Sequence, residues 1–461
     1  MNANPLNFRQ GLGRAALVVV SFHLAYAFGA GSFLIAVCLF GLVQLSRVRT
    51  SRQAMNLGWI IGPLLYGPHL CFFWTIFGPG ASTLWLVLAF WVGLFLVLLR
   101  ACRLRFGNIA AAGLAPFLWT GLEFFRSEIY ILRFSWLSPG FAFSDSPQLP
   151  LLAPLGVYGI GFVLMAAASA LSLASRKVAG IAGGALLVAL AVWTNLPASS
   201  QSAPVIGPQL RVAGVQFEFE GDLTLLDALN KLLKEHPDTD LFVLSEYSFD
   251  GPVPDRIKAW CKTNRRHLLA GGKDHFATNQ FFNTAYVIGP DGSVVFQQAK
   301  AMPIQFFKDG QPAREQKVWN SPWGKLGVCI CYDLSYARVV DELVRQGAQA
   351  LLVPTMDVAE WGEYEHRLHS RVAPMRAAEY GLPIFRLASS GISQAVDARG
   401  RVTAAAPFPG EGSVLAATLS LTHTGSRPFD RCLAPLAMWV SGALAAWFAM
   451  DPLRRKFLKR R

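Results

Sequence analysis

Charge is scarce in this chain. Asp, Glu, Lys and Arg make up 15% of its 461 residues, while hydrophobic residues reach 53%. Soluble domains carry roughly a quarter charged residues. A wholly water-soluble enzyme of this length is therefore a poor fit, and an integral membrane protein with some soluble mass is expected. Acidic residues are scarcer than basic ones, 29 against 42, for a net charge of +13. The Lys and Arg residues cluster beside apolar runs rather than on one face, which favours membrane topology over nucleic acid as their explanation. Cysteine is sparse and scattered: Cys38, Cys71, Cys102, Cys261, Cys329, Cys331 and Cys432. No CxxC pair occurs, and the CxC at 329–331 would point its side chains to opposite faces of a strand. Neither a disulfide framework nor a zinc site is expected. An HExxH motif is also missing. The Glu365-His366-Arg-Leu-His369 stretch offers two histidines three apart without a third ligand, so it reads as a solvated or core helix face. No metal or cofactor is expected, and no short cleavable signal peptide, because the first apolar run continues into others.

Runs of about 20 apolar residues can span a bilayer. Seven are expected before residue 200, at 12–29, 31–46, 57–78, 82–100, 108–125, 150–173 and 178–195, and an eighth at 432–450. The flanking charges support an even count. Arg9 and Arg14, Arg47 to Arg52, Arg100 to Arg105, Arg176 with Lys177, and the basic tail 451–461 all fall on one side if there are eight spans. The connection at 79–81, on the other side, is uncharged. The positive-inside bias then makes both termini cytoplasmic and places the segment 208–423 outside the cytoplasm.

From Leu210 the pattern changes to short apolar runs alternating with helical patches. Strands are expected at 210–216, 241–244, 267–271, 284–288, 293–297, 328–331, 350–354 and 384–388, with a last pair around Asp397-Ala-Arg-Gly400. Helices are expected at 222–233, 255–264 and 366–380. This alternation implies an α/β sandwich with mixed sheets. The fold class is a multi-span α-helical membrane domain (1–200 and 432–450) plus an α/β domain (208–423).

The chemistry is expected around Lys325-Leu-Gly-Val-Cys-Ile-Cys-Tyr-Asp-Leu-Ser335, a strand that ends at a thiol. A following helix, 338–346, would aim its N-terminal amides at the thiol and lower its pKa. Two buried structural cysteines are the alternative. Glu246 and Lys300 share the position of Cys331, each at or just beyond a strand end. Together they would make a nucleophilic site. Glu246 would act as general base, Lys300 would stabilise thiolate and oxyanion, and the backbone N–H of Tyr332 would be a second oxyanion donor.

Glu246, Lys300 and Cys331 in this order resemble the triad of the carbon–nitrogen hydrolase (nitrilase) superfamily. Leu244-Ser-Glu246, Asn283 to Gly292, Gly327 to Asp333, Gly347 to Pro354, Arg376-Ala-Ala-Glu379 and Ser390-Gly-Ile-Ser393 carry the same resemblance. It implies a nitrilase-like α-β-β-α sandwich with Cys331 as nucleophile and Cys329 as a core residue. The apolar half, with Phe134-Ser-Trp-Leu-Ser-Pro-Gly140 and Leu152 to Phe162, resembles the apolipoprotein N-acyltransferase family within that superfamily. That resemblance implies a multi-pass protein of the bacterial cytoplasmic (inner) membrane with its catalytic domain outside. Its partners would be a phospholipid acyl donor and diacylglyceryl-modified lipoprotein acceptors, with no nucleic acid, and it would be a monomer. Phe306, Phe307 and Trp361 fall on loops near the site and would touch lipid or acyl chain, or pack as ordinary aromatics.

The chain also departs from the family. A second Glu is expected shortly after the Lys; by offset Lys308 occupies its place, with Asp309 and Glu315 as possible substitutes. Cys-Tyr-Glu becomes Cys331-Tyr332-Asp333, and the Asn-Asp-x-Trp-Phe run appears as Met356-Asp357 to Trp361 with two extra residues. These differences mark a divergent branch. They leave open a membrane-tethered amidase or lipid acyl hydrolase, and an inactive membrane scaffold or lipid-binding protein.

Overall fold

The computed structural model describes residue 6 and residues 8–145, 152–195, 207–278, 280–421 and 423–458. The linker at 197–204, the first residues of the expected span at 150 and the last three residues of the basic tail lie outside the described residues. The chain divides into two compact units, Met1–Ala198 with Pro428–Arg461, and Ser199–Arg427.

The first unit is helical: α1 (Phe8–Ala27), α2 (Ile35–Leu45), α3 (Ser51–Tyr66), α4 (Phe72–Phe77), α5 (Ala81–Phe124), α6 (Leu152–Leu171), α7 (Arg176–Asn195), and a final helix, Asp430–Leu458. The break expected at 29–31 is a 3-10 turn, Gly29–Leu34. The third apolar run begins at 51 rather than 57, because Thr50 and Gln53 form a reciprocal capping box. It is interrupted at Gly67-Pro68, where proline cannot continue the hydrogen-bond ladder. The boundary between the fourth and fifth runs is a kink at Gly107, whose φ of +83° lies outside the helical region. Among the described residues, four helices are long and apolar enough to cross a membrane: 72–129, which contains that kink, 153–171, 177–195 and 430–450. Helices α3 and α5 meet through Gly58-x-x-x-Gly62 and Ala89-x-x-x-Gly93. A Cβ at Gly58 would lie 2.1 Å from the Gly93 Cα, and one at Gly62 would lie 2.3 Å from the Ala89 Cα. Small residues at this spacing let helix backbones touch.

Among the described residues, the second unit holds twelve strands in two sheets. The first contains β1 (Gln209–Val215), β2 (Leu241–Val243), β3 (His267–Ala277), β4 (Gln280–Ile288), β5 (Val294–Ala299) and, at its other edge, β12 (Val414–Ser420), in the order β12-β1-β2-β3-β4-β5. The second runs β11-β10-β9-β8-β7-β6, from β6 (Val318–Ser321), β7 (Gly324–Val328), β8 (Ala350–Thr355), β9 (Ile384–Ala388), β10 (Ser393–Val396) and β11 (Val402–Ala406). Parallel pairs β1–β2–β3 and β7–β8–β9 sit beside antiparallel ones, so both sheets are mixed. The inner faces share one core, with Val212, Val243 and Leu269 from one sheet against Val328, Leu352 and Phe385 from the other. Helices α8 (Asp222–Glu235) and α9 (Asp255–Asn264) bury Leu225, Leu229, Ile257 and Trp260 on the outer face of the first sheet. The i, i+4 spacing of Leu225 and Leu229 is what makes that face apolar. Strands β8 and β9 are buried at every residue, as parallel strands covered on both faces must be. This is the nitrilase-like sandwich that the sequence implies.

Candidate active site

Glu246 and Cys331 leave parallel strands of the two sheets, and Lys300 leaves an antiparallel one. Glu246 stands three residues past β2, where Gly271 of β3 lets the backbones close up: a Cβ there would lie 2.6 Å from the Glu246 Cα. Lys300 follows β5 directly. Cys331 follows β7 by three residues, because the strand, expected at 328–331, ends at Val328, and it opens a 3-10 turn, Cys331–Ser335. All three side chains are buried.

The Glu246 carboxylate is fixed on both oxygens. Oε1 accepts from Lys300 Nζ at 2.8 Å and Asn283 Nδ2 at 2.6 Å; Oε2 accepts from the Met356 N–H at 2.7 Å. On its other side Lys300 Nζ meets Asp309 Oδ2 at 2.7 Å. Asp309 is the second carboxylate. Besides Lys300 it accepts from the Ile304 N–H at 2.7 Å, Tyr247 Oη at 2.8 Å and Asn283 Nδ2 at 2.8 Å. Lys308, which holds the place by offset, is exposed. Glu315 is also exposed and pairs with Lys317. The loop 301–309 turns through Phe306, whose φ is +69°, and this places the carboxylate one residue later than a simple count suggests. Asn283 bridges the two carboxylates, a role that sequence reading did not assign to it. Asp333 anchors the loop to the thiol's turn by accepting from the N–H groups of Met302 at 2.7 Å, Ala301 at 3.0 Å and Ile330 at 3.0 Å. Burial lifts its carboxyl to about 6.

The thiol itself departs from expectation. The anticipated lowering of its pKa does not occur. Burial raises it well above its ordinary value and the Glu246 carboxylate adds to this, with Lys300 pulling the other way. Helix α10 (Ala337–Arg345) starts beyond the whole 3-10 turn, whereas carboxylates crowd the sulfur. The Cys331 Sγ faces the Met356 carbonyl at 3.8 Å, as a protonated thiol would. Met356 thus touches the sulfur through its C=O and the Glu246 carboxylate through its N–H. Cys331 is held at φ +51°, a left-handed conformation that costs a non-glycine residue about 1 kcal/mol or more. Tyr332 is the next residue on that turn. Burial also raises the Glu246 carboxyl, against the pull of Lys300. Burial alone would lower the Lys300 ammonium, but Asp309 and Glu246 more than offset it, so the lysine stays charged.

Phe307 and Trp361 pack together, with ring centroids 6.0 Å apart, and Phe306 beside them is 80% exposed. The two histidines are core residues of helix α11 (Glu363–Ser370). His369 Nδ1 bonds Asp357 Oδ1 at 2.8 Å, and His366 Nδ1 lies 2.9 Å from Glu365 Oε2. Cys331, Asp357 and His369, and likewise Asp357, Glu365 and His366, are spaced so that a metal ion could be held. Asp357 Oδ2, however, already accepts from Arg386 Nη2 at 2.6 Å, so the guanidinium supplies the cation there. Sequence reading missed this network because Arg386 lies in an apolar strand with no local signal.

Two family models match the chain. "Carbon-nitrogen hydrolase" covers residues 225–429, and "Apolipoprotein N-acyltransferase N-terminal domain" covers 14–170. The chain belongs to the apolipoprotein N-acyltransferase family. A protein of that name from Shewanella oneidensis is 27% identical over 380 residues, 72% of this chain and 72% of that protein. Another, from Geobacter metallireducens, is 22% identical and covers 88% of each. Among solved structures, a carbon-nitrogen hydrolase from Helicobacter pylori aligns with 46% of this chain and 90% of its own at 21% identity, with a TM-score of 0.40. An amidase from Nesterenkonia covers 48% of this chain and 94% of its own, also at 21% identity and a TM-score of 0.40. Within the apolipoprotein N-acyltransferase family this chain is a divergent branch. Asp309 meets Lys300 where the family pattern leads one to expect a glutamate, and Asp333 stands for the glutamate of Cys-Tyr-Glu.

Proposed function

We propose that this protein is a lipoprotein N-acyltransferase working through a thioester on Cys331. The observation that carries this reading is the buried Glu246–Lys300–Asp309 cluster beside the Cys331 thiol, in a chain whose other half matches the family's N-terminal domain. In the first half-reaction the Cys331 proton passes to Glu246 while sulfur attacks an ester carbonyl of a phospholipid. Lys300 and the Tyr332 N–H take the negative charge that develops on oxygen. The C–O bond then breaks, Glu246 returns the proton to the departing alkoxide, and a lysophospholipid leaves. In the second half the α-amine of a diacylglyceryl-cysteine attacks the thioester carbonyl. The new C–N bond forms, the C–S bond breaks, and Glu246 carries the amine's proton to the sulfur.

A resting thiol suits this scheme. A thiol that is not already ionised needs a base at the moment of attack, and the raised pKa of Glu246 makes its carboxylate a stronger base for taking that proton. Phe306, Phe307 and Trp361 would contact the acyl chain. Eight spans with both termini in the cytoplasm would place the catalytic unit outside the cytoplasmic membrane, and the protein would act as a monomer. The test uses purified protein in detergent with a labelled phospholipid: the acyl-enzyme is trapped, then a diacylated lipopeptide is added. Transfer of label to the amine is expected. Release of free fatty acid alone would make the protein a hydrolase, and failure to form any adduct would overturn both readings.

A further inference from the structure

The catalytic unit carries a cleft of 420 Å³, within the size range of small-molecule sites. Tyr247 and Met356 line it, and both also touch the catalytic cluster: Tyr247 through Asp309, Met356 through Glu246 and the Cys331 sulfur. The cleft therefore adjoins the reacting thiol. Its charged residues are Glu220, Asp250, Lys273 and Lys308. Lys273 and Asp250 form an ion pair with each other, and the Lys273 ammonium also lies 5.6 Å from the Tyr247 ring centroid and 5.3 Å from that of Phe281. That lysine is held in place with its charge compensated. Lys308 is different. It is exposed, and among the described residues no hydrogen bond or ion pair engages it. It is also the position where the family pattern leads one to expect a carboxylate, a role that Asp309 has taken over. The neighbour thus released is a cation lining the cleft.

We infer that Lys308 is an anion subsite that receives the phosphodiester of the acyl donor. The inference rests on the reading of Cys331 as the residue acylated by a phospholipid. In a glycerophospholipid the phosphodiester is only a few bonds from the acyl ester, so an ester placed at Cys331 brings the phosphate into the adjoining cleft. An ammonium binds it as a point charge. Glu220, the cleft's other carboxylate, keeps the cleft from being a general anion trap.

The test measures acyl-enzyme formation by the full-length protein in nonionic detergent, with two short-chain monomeric donors. One is a diacyl phospholipid and the other is a neutral diacylglycerol with the same acyl chains. Monomeric donors remove any effect of lysines attracted to an anionic membrane surface. For Lys308→Ala, KM for the phospholipid is expected to rise about tenfold, with kcat nearly unchanged and both constants for diacylglycerol unchanged; Lys308→Arg should restore most of the loss. Equal losses on both donors, or none on either, would overturn the subsite. So would competition by inorganic phosphate as strong as by the phospholipid, which would mark a site for free phosphate. A shift seen only with vesicles would assign the lysine to membrane attraction instead. Failure of the wild type to be acylated by the phospholipid at all would sink the donor reading itself, a different result from any of these.

Discussion

Replacing Asp309 with Asn is the sharpest test of the catalytic cluster. All four partners of this carboxylate are donors: Lys300 Nζ and the Ile304 N–H on Oδ2, Tyr247 Oη and Asn283 Nδ2 on Oδ1. An amide keeps the shape but offers one acceptor oxygen, so two of those donors would face an NH2 group. The lysine would also lose one of the two carboxylates that hold it charged. Breaking a buried pair costs about 3–5 kcal/mol, and the shape-preserving amide puts this change near the lower end. A lower thermal midpoint is expected, together with acyl-enzyme formation slowed by about 10²–10³-fold, the cost of removing one preorganised electrostatic partner. The pH dependence separates chemistry from mere loosening. Asp309 is one of the charges that raise the Glu246 carboxyl, so its removal lowers the base's pKa. Glu246 must be ionised to accept the thiol proton, so the acid limb of the kcat/KM profile moves to lower pH. The matched control is Glu315→Gln, which changes an exposed carboxylate and should leave rate, midpoint and profile in place. An Asp309→Asn protein with the wild-type rate and profile, or a Glu315→Gln protein that loses both, would refute the assignment.

Three further outcomes follow from the geometry. Cys331→Ser should form no thioester detectable by mass spectrometry, whereas Cys329→Ala, a change in a buried side chain outside the hydrogen-bonded cluster, should keep it. His366 carries a pKa of about 9 in the folded protein: burial lowers it, but the neighbouring Asp357 and Glu365 carboxylates raise it further. Because this exceeds the ordinary 6.5, the folded state binds the extra proton between the two values. Its contribution is complete below pH 6.5 and lost as pH rises through 9, so the thermal midpoint should fall over that window, and fall less in His366→Gln. Gly62→Leu should destabilise the helical unit by about 1–3 kcal/mol, because α5 leaves no room for the side chain. Gly113→Ala, where a Cβ meets open space, is the control, and thermal aggregation in detergent reads both.

The sequence made the triad legible because each member ends an apolar run, and the polarity break survives in the strings of residues around Glu246, Lys300 and Cys331. The sandwich was legible for the same reason: alternating short runs and amphipathic helices leave few other arrangements. Asp309 was not, because offset counting assumes a fixed loop path and the turn at Phe306 changes it. The sign of the thiol's shift is not legible, because the helix that would lower it is close in sequence while the carboxylates that raise it are distant in sequence but adjacent in space. The Asp357–His369–Arg386 network joins three elements over 30 residues, and no local pattern announces such a meeting. The α3–α5 crossing rests on two small-residue repeats, Gly58/Gly62 and Ala89/Gly93, which the apolar pattern of their runs does not single out.

The raised pKa of Cys331 has a consequence outside catalysis. Oxidants, alkylating agents and disulfides react with thiolates. A buried sulfur that stays protonated until an ester is in place is therefore shielded from reagents that carry no acyl group. In the proposed scheme, the feature that requires Glu246 as a base beside Cys331 would also protect the sulfur between turnovers. An exposed, permanently ionised cysteine would be quicker to attack and quicker to be destroyed.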